Sequence, residues 1–210
     1  MQTVFLVELG EGADRLEIPW ASPDTPANRH YDLKAHPDLL DQIAEAQANP
    51  PLRRFLQAVN APESFFATAK CNTWRTEAFT DAERATFPVH PERSRRAART
   101  KFASYVDLVF APPPFNFHRQ HYEQLAERLA QQLAPEPAAA RVELCLRHCY
   151  YHPRQSWGFY LTIFLYGYGG QQAEAEREWA AGLAALAQAL LRLSAVLQQA
   201  IGQSEATGEK

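Results

Sequence analysis

Two cysteines and two histidines at regular spacing could support chemistry in this chain. Cys145, His148, Cys149 and His152 form the pattern C-x2-H-C-x2-H. Thiolate and imidazole groups are ligands that zinc prefers, and on a helix all four side chains would share one face. On a strand, successive side chains alternate, so the cysteines and the histidines would lie on opposite faces. The flanking residues alternate as a strand does, and we therefore predict neither a metal site nor a cofactor here.

Aromatic side chains follow the same alternation in the next predicted strand, residues 156–168. One face of this strand is aromatic and the other is apolar, which is typical of a central strand with both faces covered. Helices would cover only one face, and the other must meet the N-terminal segment, a second subunit or a ligand. A pocket for a small apolar or aromatic ligand is one hypothesis. Its lining would be Tyr160, Phe164, Tyr166 and Tyr168, with His118 or His148 orienting the ligand.

His118 begins a helical pattern with Tyr122, Leu125 and Leu129, which places it on the buried face of a predicted helix. A histidine there could act as a general base or a ligand, although such residues are more often structural. An enzyme that uses His118 or Cys149 is a further hypothesis. The chain contains none of the common nucleotide-binding, metalloprotease or hydrolase motifs. We assign no catalytic residue and favour a function other than catalysis.

Five cations without an intervening acid lie in the predicted connection between two strands. They are Arg93, Arg95, Arg96, Arg99 and Lys101. Such a run could bind an anionic partner, either nucleic acid or an acidic protein surface. The alternative, which we favour, is a solvated connection whose cations pair with the nearby Glu77, Asp81 and Glu83. No aromatic residue interrupts the run, which weakens a role in RNA binding.

The last predicted helix, residues 171–201, carries a heptad repeat of apolar residues. They are Trp179, Leu183, Leu186, Leu190, Leu193 and Leu197. At ~1.5 Å per residue the helix is about 45 Å long, whereas a five-stranded sheet is about 24 Å wide. The distal half is therefore expected to overhang the sheet. We predict an interface there, formed by Leu190, Leu193, Leu197 and Ile201, with a second copy or another protein.

Composition indicates one soluble α+β domain. The chain has 210 residues, 46% of them hydrophobic, a formal net charge of −3 and three cysteines, an odd number that does not suit a disulfide framework. The N-terminus lacks the pattern of a signal peptide, and the apolar run 157–168 is too short to cross a bilayer. We predict a cytoplasmic protein without membrane contact, a domain over 1–202 and a disordered tail over 203–210.

The order of predicted elements suggests the fold. Strand-like runs at 64–79 and 101–111 precede a helix at 115–133, and those at 141–152 and 156–168 precede the last helix. This ββα-ββα order is a circular rearrangement of the ferredoxin-like arrangement, which predicts an antiparallel sheet with helices on one face. An N-terminal strand and two short helices, beginning near Pro37 and Pro50, complete the expectation.

The excess of apolar surface leads to the main functional hypothesis. We expect a non-catalytic binding or assembly protein that acts through the C-terminal helix and one sheet face, as a homodimer or with a protein partner. The alternatives are a small-molecule-binding domain with an aromatic pocket, and anion or nucleic-acid binding through residues 93–101.

Overall fold

The computed structural model describes residues 1–22, 24–25, 28–81, 83 and 98–208, with side chains up to residue 203. Six strands form one sheet. They are β1 (Gln2–Val7), β2 (Arg15–Ile18), β3 (Phe66–Thr76), β4 (Thr100–Phe110), β5 (Ala140–Tyr151) and β6 (Ser156–Gly169). The strand order is β1-β5-β6-β4-β3, and β2 also pairs with β5.

Along the chain, the helices follow pairs of strands. They are α1 (Ala44–Ala48), α2 (Pro50–Val59), α3 (Arg119–Leu133) and α4 (Gln172–Gly208). Short 3₁₀ turns lie at Pro37–Gln42, Pro113–Phe117 and His152–Arg154. The fold is therefore a mixed α+β domain with several short helices and a long C-terminal helix, as the sequence predicts.

The prediction of a wholly antiparallel sheet is wrong at one edge. Strands β3, β4, β6 and β5 pair antiparallel, but β1 and β2 both pair parallel with β5. Strand β5 has 12 residues, which is long enough for two short strands to lie end to end along it. β1 pairs with Arg141 to Leu146 and β2 with His148 to Tyr151, so the chain continues in one direction along this edge.

The main core lies between the sheet and the four helices. Alternate residues of the central strands, such as Leu144, Leu161 and Ile163, are buried there against Trp179 and other helix residues. Helix α4 lies so close to β6 that a Cβ atom at Gly167 would come within 2.2 Å of the backbone nitrogen of Trp179. Glycine in this strand therefore permits close packing of the helix, because any side chain would meet helix backbone.

The distal half of α4 packs on α2 and so has a partner within the chain. Leu190 and Leu193 are buried in the same core as α2, and the hydroxyl of Ser194 accepts a 2.7 Å hydrogen bond from the backbone N–H of Phe65. Leu197 and Ile201 are partly buried against this core. Helix α2 therefore covers part of the surface of α4 that was expected to need a partner, and the predicted interface stays a prediction. Leu190 and Leu193, two of the four residues predicted for an interface, are thus buried within the chain.

Helix α4 also has the length and composition of a membrane-crossing segment. Gln172–Gln203 contains an 18-residue window with a mean hydropathy of 1.7, of which 44% is buried. The helix packed inside a protein core satisfies the same criterion. In this structure the apolar stripe of α4 packs on the sheet.

Candidate functional site

The sheet surface opposite the helices, here called the open face, carries an unusual mixture of rings and charges. Because side chains alternate along a strand, each central strand presents one set of residues to the helices and another to this face. The open face receives Trp74 from β3, Tyr105 and Asp107 from β4, Arg147 from β5 and Phe164 from β6.

The N-terminal segment covers one end of the open face. Leu16 of β2 packs there in a second, smaller core with Cys149, Tyr151 and Tyr160. Farther along, the chain reaches the opposite edge of the sheet, where the indole N–H of Trp20 donates a 2.7 Å hydrogen bond to a backbone carbonyl of β3. The segment therefore spans the sheet from the β5 edge to the β3 edge.

A buried ion pair occupies the other end of the open face. The ammonium of Lys101 lies 2.7 and 2.9 Å from the two carboxylate oxygens of Glu83, and Tyr168 donates a 2.7 Å hydrogen bond to the same carboxylate. Burial alone would raise the pKa of Glu83, but hydrogen bonds from Lys101, the Thr80 backbone N–H and Tyr168 outweigh it and lower the pKa to about 2. Glu83 is therefore ionised at neutral pH, and its carboxylate holds Lys101 and Tyr168 at this end.

Between these ends lie four aromatic rings that contact one another, here called the aromatic platform. Tyr105 is 6.3 Å from Trp74 and 6.0 Å from Phe164, measured between ring centroids. Tyr166 closes the set at 6.4 Å from both Trp74 and Phe164. All four side chains are half-buried. A partly exposed cluster of rings is a surface on which a planar ligand can stack.

Cations border the platform, and each has an acidic partner. Lys101 lies 5.0 Å above the ring of Tyr166, and the Arg147 guanidinium lies 5.6 Å from the ring of Phe164. Arg147 also contacts Glu8 at 2.6 Å. These cation–π contacts fix the orientation of the rings, while the ion pairs balance the charge at the platform.

Asp107 is a buried carboxylate next to the platform. The residue is 5% exposed, and one carboxylate oxygen accepts a 2.7 Å hydrogen bond from the hydroxyl of Thr162. Burial raises the pKa of Asp107 to about 6, and the Thr162 bond and the charges of Lys70 and Arg147 offset part of this rise. A carboxyl group with such a pKa can accept or donate a proton near neutral pH.

A cleft of about 470 Å³ runs along β3 and joins the platform at Tyr105. Lys70 and Arg29 line it, and each lies over an aromatic ring: Lys70 at 5.1 Å from the ring of Trp20, and Arg29 at 5.6 Å from the ring of Tyr31. Among the described residues, neither cation forms an ion pair. The volume is within the range of small-molecule sites, roughly 300–1,000 Å³.

The predicted ligand-binding residues divide between several places. Phe164 and Tyr166 belong to the platform, whereas Tyr160 is buried under the N-terminal segment and Tyr168 is buried against Glu83. His148 lies on the helix side of the sheet, where it stacks on Phe159 with the ring centroids 5.3 Å apart.

The prediction that His118 lies on a buried helix face is wrong. Helix α3 begins at Arg119, so His118 is the capping residue, has extended backbone angles and is exposed. Helical spacing holds from Tyr122 onward, because Tyr122, Leu125 and Leu129 are buried. The structure therefore brings neither His118 nor His148 to Phe164 and Tyr166, the predicted lining residues that belong to the platform.

The structure also alters the interpretation of the predicted anion-binding run, Arg93 to Lys101. Lys101 is buried and paired with Glu83, so its charge is neutralised within the chain. Arg99 is exposed, and Arg93, Arg95 and Arg96 lie outside the described residues. For Lys101, the favoured alternative of pairing with a nearby acid is confirmed.

The strand geometry predicted for the cysteine–histidine pattern is confirmed for Cys145, His148 and Cys149, whereas His152 begins the 3₁₀ turn after β5. Cys145 and Cys149 are buried, while His152 is exposed and lies 2.9 Å from Glu17. Burial raises the pKa of both thiols to about 12, which leaves almost no nucleophilic thiolate at neutral pH. Within the described part of the chain, no group of three or more His, Cys, Asp or Glu residues is arranged to hold a metal ion.

The residues that β3 and β4 contribute to the site were not predicted from the sequence. Asp107 is the one acid in the apolar run 102–110, and a charge inside a buried strand is a signal of function. Tyr105 shares its parity, two residues away. Lys70 and Arg29 carried no such signal, because single cations are common on any surface.

Comparisons with known protein families, curated proteins and solved structures found no significant match for this chain.

Proposed function

We propose that the protein binds a small molecule that has a planar ring, on the open face and in the adjoining cleft. The observation that carries the proposal is the position of Asp107, a buried carboxylate two residues along β4 from Tyr105, which belongs both to the aromatic platform and to a cleft of ligand size. The role is binding, and no reaction is assigned to the site.

The cost of burying Asp107 supports this proposal. An ionised carboxylate can accept about four hydrogen bonds. Among the described residues, only Thr162 donates one to Asp107. A buried charge with so few partners destabilises the folded state. A residue of this kind is best explained by a role in recognition.

Binding is best tested by fluorescence, because Trp20 and Trp74 lie at the cleft and the platform. We expect a planar compound from a diverse library to quench the emission of the protein and to raise its melting temperature. Phe164→Ala should weaken this binding at least tenfold, because it removes one ring of the platform. The matched control, Phe159→Ala, changes a half-buried ring of the same strand on the helix side and should leave the affinity unchanged.

Edge strand β1 supports a second proposal, assembly with another copy or another protein. Phe5, Leu6 and Val7 are 37%, 38% and 43% exposed on a strand that pairs on one side with β5. Exposed apolar edge strands associate with other chains. Light scattering on a size-exclusion column tests this, and Leu6→Lys should convert a dimer to a monomer.

We also infer that the antiparallel part of the sheet, with α3 and α4, is a circular rearrangement of the ferredoxin-like arrangement. The strand order β5-β6-β4-β3 supports this inference. Strands β1 and β2 would then be an addition at the edge.

A further inference from the structure

The unused acceptor positions of Asp107 indicate what kind of group it recognises. One oxygen accepts the bond from Thr162, and Arg147 directs its own hydrogen bonds to Glu8 and Thr162. Lys70 faces Asp107 across the β3–β4 pair, but its ammonium lies over Trp20 and forms no described bond to the carboxylate. The remaining lone pairs of Asp107 therefore suit N–H donors from a ligand.

The spacing along β4 places those donors on the edge of a stacked ring. Tyr105 and Asp107 are two residues apart on one face of the strand, which corresponds to about 6.6 Å. Phe164 is the direct partner of Tyr105 on β6. The ring planes of Tyr105 and Phe164 are tilted by 60°, so a planar ligand stacks on one ring and meets the other at an angle. A ring that stacks on Tyr105 would thus present its edge to Asp107, at the distance of a fused heterocycle.

The charges of the cleft indicate an acidic group on the same ligand. Lys70 and Arg29 both line it, and the acid among its described lining residues is Glu45. The two cations are held over aromatic rings without an ion-pair partner in the described chain. Two cations and one carboxylate line the cleft, and this positive balance of charge favours an anion there.

We propose that the ligand is a planar nitrogen heterocycle with two adjacent N–H donors and a negatively charged group such as a phosphate. The heterocycle stacks on the aromatic platform, its N–H groups donate to Asp107, and its anionic group lies between Lys70 and Arg29. This inference rests on the proposed ligand-binding function and names its ligand class.

Three soluble probes test the paired N–H donors and the anionic group separately. Guanosine monophosphate presents two adjacent N–H donors and a phosphate, adenosine monophosphate lacks the paired donors, and guanosine lacks the phosphate. Isothermal titration calorimetry at pH 7.5 and low salt measures each affinity. We expect guanosine monophosphate to bind at least tenfold more tightly than either of the other two probes.

Amino-acid substitutions test which residues cause each difference in affinity between the probes. Asp107→Asn should lower the affinity for guanosine monophosphate at least tenfold and remove the preference over adenosine monophosphate. Lys70→Ala combined with Arg29→Ala should remove the advantage of the phosphate, and with it the salt dependence of binding. Arg54→Ala, an exposed arginine on α2, is the matched control and should bind as the unaltered protein does. Circular dichroism confirms that each variant is folded.

The outcomes distinguish this inference from the proposed function. The ligand class is overturned when the three probes bind equally, when none of them binds, or when Asp107→Asn leaves the affinity for guanosine monophosphate unchanged. In those cases the proposed function still holds, provided that another planar compound binds and Phe164→Ala abolishes its binding. The ligand class and the proposed function are both overturned when Phe164→Ala weakens the binding of no compound in the library.

Discussion

The two faces of the central sheet differ in chemistry although the same strands form both. On β6, Leu161 and Ile163 face the helices in an apolar core, while Thr162 and Phe164 face the open side. The helix side is filled mainly by apolar groups, and polar groups such as Tyr122 are hydrogen-bonded there, whereas the open face holds a carboxylate, ion pairs and half-buried rings. Alternation along a strand allows one element to stabilise the fold with one set of side chains and to bind a ligand with the other.

Breaking the ion pair at the end of the open face should have the largest effect. In Glu83→Gln the ammonium of Lys101 loses its counter-ion while both side chains remain buried, with side-chain exposures of 8% and 4% for Lys101 and Glu83. Loss of one member of a buried pair costs about 3 to 5 kcal/mol, and urea unfolding should show a loss of that order. Adding Lys101→Met should restore most of the stability. A double variant as unstable as Glu83→Gln would contradict this explanation.

Truncation on the helix side should have the next largest effect. Leu161 is fully buried in the main core, and Leu161→Ala should lower the free energy of unfolding by about 3 kcal/mol through lost contacts and a new cavity. Ligand affinity at the open face should stay the same once the protein is folded. Chemical denaturation and the fluorescence assay measure the two quantities separately. A large change in affinity would show that the two faces are not independent.

Asp107→Asn should stabilise the protein, in contrast to the changes above. The pKa of Asp107 is about 6 in the folded protein, above its ordinary value of 3.8, so the folded state binds the proton more tightly. The corresponding stability is present below pH 4 and is lost as the pH rises through 6. The variant should therefore equal the unaltered protein near pH 4 and exceed it by about 2 kcal/mol at pH 7.5.

Thermal unfolding across this pH range checks the prediction, with Asp38→Asn, an exposed aspartate, as the control. A constant difference between Asp107→Asn and the unaltered protein at every pH would contradict the assignment of the raised pKa.

The smallest expected effects on stability come from removing one tyrosine hydroxyl on each face. The Tyr122 hydroxyl, on the helix side, lies 2.6 Å from the side-chain oxygen of Asn116 and 2.8 Å from a backbone carbonyl. These two acceptors share its single proton, so Tyr122→Phe should cost about 1 kcal/mol or more. The Tyr166 hydroxyl has no hydrogen bond to the described residues, and Tyr166→Phe should change stability by less than about 0.5 kcal/mol. Urea unfolding of both variants measures the difference. An equal loss would show that the open-face hydroxyl has a structural partner.

Local periodicity was sufficient to predict most of the fold. The two-residue alternation of β5 and β6 correctly predicted which side chains share a face, and helical spacing predicted the buried residues of α3 from Tyr122 to Leu129. The parallel pairing of β1 and β2 was not predictable in this way, because pairing direction at an edge depends on contacts between residues more than 130 positions apart.

The site was less predictable than the fold, because its parts come from distant strands. Phe164 and Tyr166 were predicted from their own strand, but Trp74 and Tyr105 join them only through the sheet register. The packing of α2 on the distal half of α4 was unpredictable for a similar reason, since the length of α4 does not indicate which other helix lies beside it. In both cases the missing information was the placement of one element beside another.

The path of the N-terminal segment has a consequence for how the protein reaches its native state. β1 and β2 pair with residues 141–151, so these strands find their partner only after more than 130 further residues have been synthesised. Contacts of such high sequence separation form slowly, because a long loop must close first. Residues 2–18 therefore leave the ribosome early yet dock late, and the nascent chain carries their apolar residues unprotected until β5 emerges.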